Sequence, residues 1–508
     1  MFGLVIILAV GVGAVENDQW DPIRDQLQDF KDKTMGPVGV LTTNNGAPVS
    51  LAEATSSLNS RLINHEHLMD GFTSLVREVI PERIAHAKGT GAFGYFEVTH
   101  DISHICRAAF LNKVGKQTPV AVRFATSSRD RGSSDLNREP RGFAVKFYTE
   151  EGNFDIPGFS TPVYFYKDPL HFITLVHAIG RNPATGVHDT TMLLDAVQLV
   201  PESMFLFLLI FSDRGLPASY RNMPGFGIHT YQVENESRVP SYVKFHITPD
   251  AGIKNLGVEE ARNVSSDLDY LIKDFYGAIA KGDFPSWTVS AQILTKSDVD
   301  KMGPRAFDIT RLVSLKKFPL HPFGKITLNR NAKNYFAEIE QLAFSPSNLV
   351  PGVQGAPDKV FEARRLAYRD AQLFRLGGNF KKIPVNCPYQ TRTFTYNRDG
   401  RAPVGNNGED APNYYPNSFN GPAPSMAKPS SRLIDIVESN GVDNFDQAAD
   451  FYANEIPPAE RDRLIGNLAL WIKPAVKDIQ KKMLELFTTI HPDLGKRVEQ
   501  SLNASMSN

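Results

Sequence analysis

DKVFEARRLAYRDAQLFRLGG, residues 358–378, is the stretch from which the rest of the chain is best read. Asp358 follows Pro357 and supplies an N-cap, Gly377 and Gly378 supply a stop, and neither Pro nor Gly interrupts the run, which predicts one helix over 358–376. At about 100° per residue, Arg364, Tyr368 and Arg375 fall within about 40° of one another on one face. A solvated stripe mixes charge signs and carries no aromatic ring, whereas this face sets a phenol between two guanidiniums. Two readings are open. One is a tyrosine packed beside two solvated arginines; the other is a phenol that the guanidinium one turn away holds as phenolate, fit to ligate a metal.

Around that helix, 508 residues at 42% hydrophobic provide a large core and more than one structural region. Lys and Arg number 55 against 56 Asp and Glu, a net charge of -1, so the whole-chain field favours neither nucleic acid nor an anionic membrane. The apolar stretch 1–15 ends in Val12-Gly13-Ala14 and predicts a secretory signal peptide, too short to span a bilayer as a mature helix. Sequons at Asn235, Asn263 and Asn503 fit export, with a cytoplasmic location as the alternative. Cys106 and Cys387 make no disulfide framework and are expected as buried free thiols.

In chain order, an N-terminal arm is expected over 16–86, with a helix from His67 to Val79 stopping at Pro81. Over 87–330 short alternating segments lie between turn clusters, at 120–124, 142–148, 163–166, 230–233, 242–247, 287–294 and 325–328. They predict an antiparallel barrel or sandwich. Met204 to Phe211 is wholly apolar and is expected as buried core. A segment over 331–431 contains the opening helix and then a long Gly-, Pro- and Asn-rich passage, suited to wrapping a surface or a partner subunit. From 432 to 508 the pattern is helical, punctuated at Pro457, Pro458, Pro474 and Pro492.

His86, between small residues at the junction of arm and first strand, is a candidate for facing a cavity, where a neutral imidazole accepts and returns a proton. A structural core histidine is the alternative. Arg123 interrupts an apolar strand, AVRFA, where a charge needs an anionic partner; Arg83, Arg123 and Arg375 together could bind a dianionic ligand. G-x-G-x-x-G after a strand, the Walker loop, H-E-x-x-H, C-x-x-C and G-x-S-x-G are all absent, which argues against those classes.

With these residues laid out, the sequence resembles the haem catalases from about residue 20 to 500. HAKGTGAFGYFEVT at 86–99 resembles their distal-histidine motif, and Arg364-x-x-x-Tyr368-x-Asp370, ending in Arg375-Leu376-Gly377, their haem-ligand motif. RGFAVKFYT at 141–149, SDRG at 212–215 and PVNCP at 384–388 also match. The resemblance implies an α+β fold with haem b enclosed by an eight-stranded antiparallel barrel, a wrapping segment, a C-terminal helical domain, a homotetramer, and hydrogen peroxide or a small hydroperoxide as substrate. Tyr368 would ligate the iron, as is general for catalases. Arg364 would pair with the phenolate, backed by His229 and Asp358. Arg83, Arg123 and Arg375 would bind the propionates, Phe172 would pack on the distal side, and His86 would move the proton between the peroxide oxygens.

The chain departs from the family pattern at two distal positions. The family's distal Asn, in Gly-Asn-Asn-Thr-Pro, falls at Phe159 in Gly158-Phe159-Ser160-Thr161-Pro162, and the Ser that orients the distal histidine falls at Ala125. Losing one preorganised donor costs about 10² to 10³ in rate, so a catalase of reduced efficiency is expected. A haem enzyme acting on organic hydroperoxides and a silent haem-binding protein are the alternatives; against the former, Ala85 stands where the catalase-like allene oxide synthases have threonine. Arg214 remains from the family's NADPH site, but Phe205, Pro224, Thr248, Val313 and Leu315 replace its other polar positions, so bound NADPH is not expected. The ending Ser505-Met506-Ser507-Asn508 is no peroxisomal address.

Overall fold

Side-chain alternation along the strands sorts the residues onto two faces, and that sorting decides where the site lies. The computed structural model describes residues 20–57, 62–127, 130–402, 405–425 and 435–506, so the stretch 1–15 expected as a signal peptide lies outside the described residues. Two compact units divide at Val79 and Ile80. The first holds the helices Gln26–Lys33, Leu51–Thr55 and Glu66–Leu75, none of which buries a residue of its own. The last ends short of the expected Val79.

In the second unit the strands are β1 (Gly89–Val98), β2 (Gln117–Ala125), β3 (Gly142–Thr149), β4 (Gly152–Phe159), β5 (Gly225–Phe226), β6 (Tyr231–Glu234), β7 (Pro240–Pro249), β8 (Ser286–Leu294), β9 (Leu320–Asn331) and β10 (Val353–Gly355). Eight of them close an antiparallel barrel in the order β1, β2, β3, β4, β5, β7, β8, β9 and back to β1. β6 continues the sheet from the first half of β7 and carries β10. Closure leaves those eight strands without a free edge. Inside, Phe96, Phe124, Phe143, Phe147, Phe154 and Trp287 form one aromatic core. Because side chains alternate, Arg123 and Ala125 of β2, Ala144 of β3 and Phe159 of β4 point to the outer face. The cavity they line therefore stands against the outside of the barrel, not within it.

One expected strand is absent. Residues 163–166 alternate, but Tyr164 N to Ile309 O, at 2.8 Å, gives this segment no ladder, and its side chains divide between the cavity and the helical core. β1 is the first strand expected after His86, whereas β4 was not among the segments named from alternation. The helix Met204–Phe211 is buried along its whole length against Pro458–Ile472, Lys477–Ile490 and Pro492–Met506. Among the described residues, no single helix is long and apolar enough to cross a membrane. Residues 405–425 carry neither helix nor strand. Cys106 is buried and Cys387 only half-buried, both free.

The opening stretch forms one helix, Lys359–Leu376. Asp358 caps it by accepting from Phe361 N at 2.7 Å, and Gly377, at φ +86°, ends it in a conformation that only glycine adopts without cost. Just before it, the chain is pinned to the barrel by a buried ion pair. Lys146 Nζ lies 2.8 Å from Asp155, whose other contacts are Ser345 N at 2.9 Å and Asn348 Nδ2 at 2.8 Å. Asp155→Ala strands the ammonium in the interior and is expected to cost about 3–5 kcal/mol. Chemical denaturation should show that loss, with Lys146→Met/Asp155→Leu recovering most of it; equal stability of Asp155→Ala and wild type would refute the pinning.

Candidate active site

Between β2, β3 and β4 on one side and the helix Lys359–Leu376 on the other lies a largely apolar cleft. Arg83, His86, Arg123, Phe172, Arg364, Tyr368 and Arg375 all line it, while His229 and Asp358 stand behind Arg364.

His86 occupies the barrel side. Its backbone is left-handed, at φ +66°, strained for a residue with a Cβ. Nδ1 lies 2.6 Å from the carbonyl of Thr126, which can only accept, so the proton sits on Nδ1 and the Nε2 lone pair is left for the cavity. Thr126 thus orients the ring that Ala125 cannot. Gly142 lets the two strands close on it, since a Cβ there would stand 3.1 Å from His86 Nδ1. Burial pushes the His86 pKa down to about 4, the bond to Thr126 opposing and Arg123 and Arg364 assisting.

On the far wall a buried chain runs outward from the phenol. Arg364 Nη2 donates to Tyr368 Oη at 2.8 Å and to the Pro157 carbonyl at 2.6 Å, and Nη1 donates to His229 Nε2 at 2.8 Å. Arginine has no acceptor, so His229 is neutral with its proton on Nδ1, donated to Asp358 Oδ2 at 2.8 Å. Burial opposes the charge on Arg364, yet the oxygens of Tyr368 and Tyr164 raise its pKa above the ordinary value.

At one end three guanidiniums converge. Arg83 and Arg375 share the carboxylate of Glu340, at 3.5 and 2.9 Å, and both donate to its backbone carbonyl. Arg123 Nη2 donates to His86 O at 3.1 Å, but among the described residues its buried Nε has no hydrogen-bond partner, nor has Glu340 Oε2. Burial and the mutual repulsion of the cations push the Arg83 pKa well down. Three cations against one carboxylate leave two positive charges, and an orphaned donor, at the end of a flat apolar cleft. That fits haem b, whose two propionates are a dianion. Among the described residues no three His, Cys, Asp or Glu could hold a metal alone, so a metal on Tyr368 must bring its other ligands, as porphyrin iron does.

All nine expected residues therefore take part in this cleft or its backing. Glu340 was missed, because its partners lie 257 and 35 residues away and no local pattern marks it. Tyr164 and Tyr166, hydroxyls 3.4 Å apart, also line the cleft. Their i, i+2 spacing was the available signal.

Comparisons with known proteins agree with this geometry. A family model described as Catalase matches residues 42–421, and one described as Catalase-related immune-responsive matches 438–502. Catalase of Drosophila melanogaster is 43% identical over 499 residues, covering 96% of this chain and 99% of that one. Catalase-2 of Caenorhabditis elegans is 43% identical over 491 residues, covering 95% and 98%. Among solved structures, a fungal catalase superposes with a TM-score of 0.86 at 37% identity, covering 92% of this chain and 98% of that one; catalase A of Saccharomyces cerevisiae does so at 0.84 and 38%, covering 91% and 99%. These define a haem-dependent oxidoreductase. The chain belongs to the catalase family, whose reaction is the decomposition of hydrogen peroxide to water and oxygen.

The depressed pKa of His86 has a measurable sign. An ordinary histidine titrates near 6.5, so between about 4 and 6.5 the unfolded chain binds the proton and the folded one does not. The folded state therefore loses stability as pH falls through that window. Denaturant unfolding at pH 7 and pH 5 should show a smaller loss in His86→Phe than in wild type; identical pH slopes would contradict a buried neutral imidazole.

Proposed function

We propose that this catalase decomposes hydrogen peroxide with a weakened distal clamp, and that Phe159 is the cause. One observation carries this. The Phe159 ring lies 5.3 Å from the His86 ring, and Arg364 Cζ lies 5.9 Å from the Phe159 ring, so a phenyl group lines the cleft beside His86 where the family pattern has a carboxamide. A phenyl ring offers peroxide no donor.

In this reading Arg83, Arg123 and Arg375 would hold the propionates, Phe172 would pack against the haem, and Tyr368, its oxygen held by the Arg364 guanidinium at 2.8 Å, would ligate the iron. The haem supplies the redox chemistry by which one peroxide is reduced to water and a second oxidised to oxygen. His86 Nε2 takes a proton from one peroxide oxygen and returns it to the other, the Thr126 carbonyl holding the ring in the required tautomer. Ala125 and Phe159 keep water from competing but leave peroxide oriented by His86 alone. The apolar wall of Ile84, Ala125, Phe159 and Phe172 favours a small organic hydroperoxide as a second substrate.

NADPH is not part of this reading. Arg214 stands 5.1 Å over the Phe451 ring and 3.9 Å from Glu455, a setting that already occupies it. A homotetramer is supported by Leu27, Phe30, Leu51 and Phe72, exposed on helices that bury nothing of their own. Export is supported by the exposed sequon at Asn263.

Oxygen evolution by haem-loaded protein tests the activity, and a rate no better than free haem would overturn it. Phe159→Asn should raise turnover by up to about 10². An unchanged rate would place the limitation elsewhere. Tyr368→Phe should lose the spectrum of phenolate-ligated ferric haem, and a spectrum identical to wild type would refute the ligand.

A further inference from the structure

The turn that carries His229, behind Tyr368, is itself held by a residue that sequence reading did not single out. Lys244, on β7, is buried, and its ammonium donates to the carbonyl of Ile228 at 2.7 Å. Two carboxylates act on it, Asp358 and Asp308, and the latter has Lys167 Nζ at 3.5 Å from its Oδ2. Burial is the larger influence and brings the Lys244 pKa down to about 8.

Ile228 is the residue immediately before His229, and its backbone stands at φ +68°. A β-branched side chain is a poor occupant of that left-handed region, so the conformation persists only where the surroundings enforce it. Two bonds do so. His229 N donates to Gly227 O at 2.8 Å, closing the tight turn, and Lys244 Nζ holds the Ile228 carbonyl that the turn throws inward. The turn in turn sets where the His229 imidazole meets Arg364 Nη1.

We propose that Lys244 is a positioning residue for the proximal ligand. It fixes the strained turn at Ile228 and places a positive charge beside Asp358, so that His229 and Arg364 hold the Tyr368 oxygen in one place with one electron density. This rests on the reading of Tyr368 as the iron ligand. Groups behind a ligand commonly change metal affinity by about 10- to 100-fold, and Lys244 reaches Tyr368 through the Ile228 turn, His229 and Arg364.

The test uses full-length, haem-loaded protein and two readouts besides turnover, the ferric absorption bands and the rate of haem transfer to an excess of apomyoglobin. Lys244→Met removes both donor and charge and should shift the charge-transfer bands and speed haem loss about tenfold. Lys244→Gln keeps a donor for Ile228 and should give a smaller shift in the same direction. Ile228→Gly relieves the strain, so adding it to Lys244→Met should produce less than the sum of the separate effects. Should Lys244→Met fail to fold, Lys244→Gln alone still decides, since it removes the charge and should still move the bands part of the way. Wild-type bands in folded Lys244→Met, or in Lys244→Gln, would overturn the proposal. Tyr368→Phe, run beside them, separates that outcome from failure of the ligand reading, because it must move the bands whatever Lys244 does.

Discussion

A guanidinium buried between a phenol and an imidazole is the constraint from which the functional wall of this protein follows. Arg364 sends its donors in three directions, to Tyr368, Pro157 and His229. Only a planar fork reaches acceptors set so; an ammonium at the same place is a point charge with a different geometry. The burial of that charge is offset by the bonds themselves, and each bond fixes a separate piece of chain. Pro157 belongs to β4, His229 to the turn before β6, and Tyr368 to the helix one turn on. Barrel, turn and helix are therefore brought into mutual register by one side chain.

The opposite wall is built on different means. His86 is held by backbone strain, by one carbonyl and by the absence of a Cβ at Gly142. Polar bonds dominate behind Tyr368, and shape dominates around His86. Phe159 belongs to the second style. Its ring packs on His86 and on Tyr164, 5.3 Å from each, and contributes rigidity where a carboxamide would contribute a bond.

The proximal helix was legible because its cap, stop and charged face are local facts, all within 358–378. The barrel was legible from alternation, except where alternation misled at 163–166 and where β4, with glycine near both ends, was not named. Arg375 could be proposed as a site residue because it shares a helix face with Tyr368, His86 because it stands among small residues where a strand begins, and Arg123 because charge in an apolar strand demands a partner. Which partner it finds is a property of the closed fold. Glu340 and the carbonyls of Thr126 and Ile228 carry no mark in one dimension, since a backbone oxygen has the same appearance at every position. The face of the barrel on which the cleft lies was equally hidden, because a period of two separates the faces without saying which is inside.

The guanidinium cluster has a consequence for the life of the chain. Arg83 and Arg375 share one carboxylate and Arg123 lines the same cleft beside them, and this excess of charge sits in the interior, where it favours expansion. A dianion bound there stabilises the folded form and has no counterpart to bind in the unfolded one, so by mass action the population of folded chains rises with the free cofactor. A haem held by these arginines would add to the stability of the fold as well as carrying the reaction.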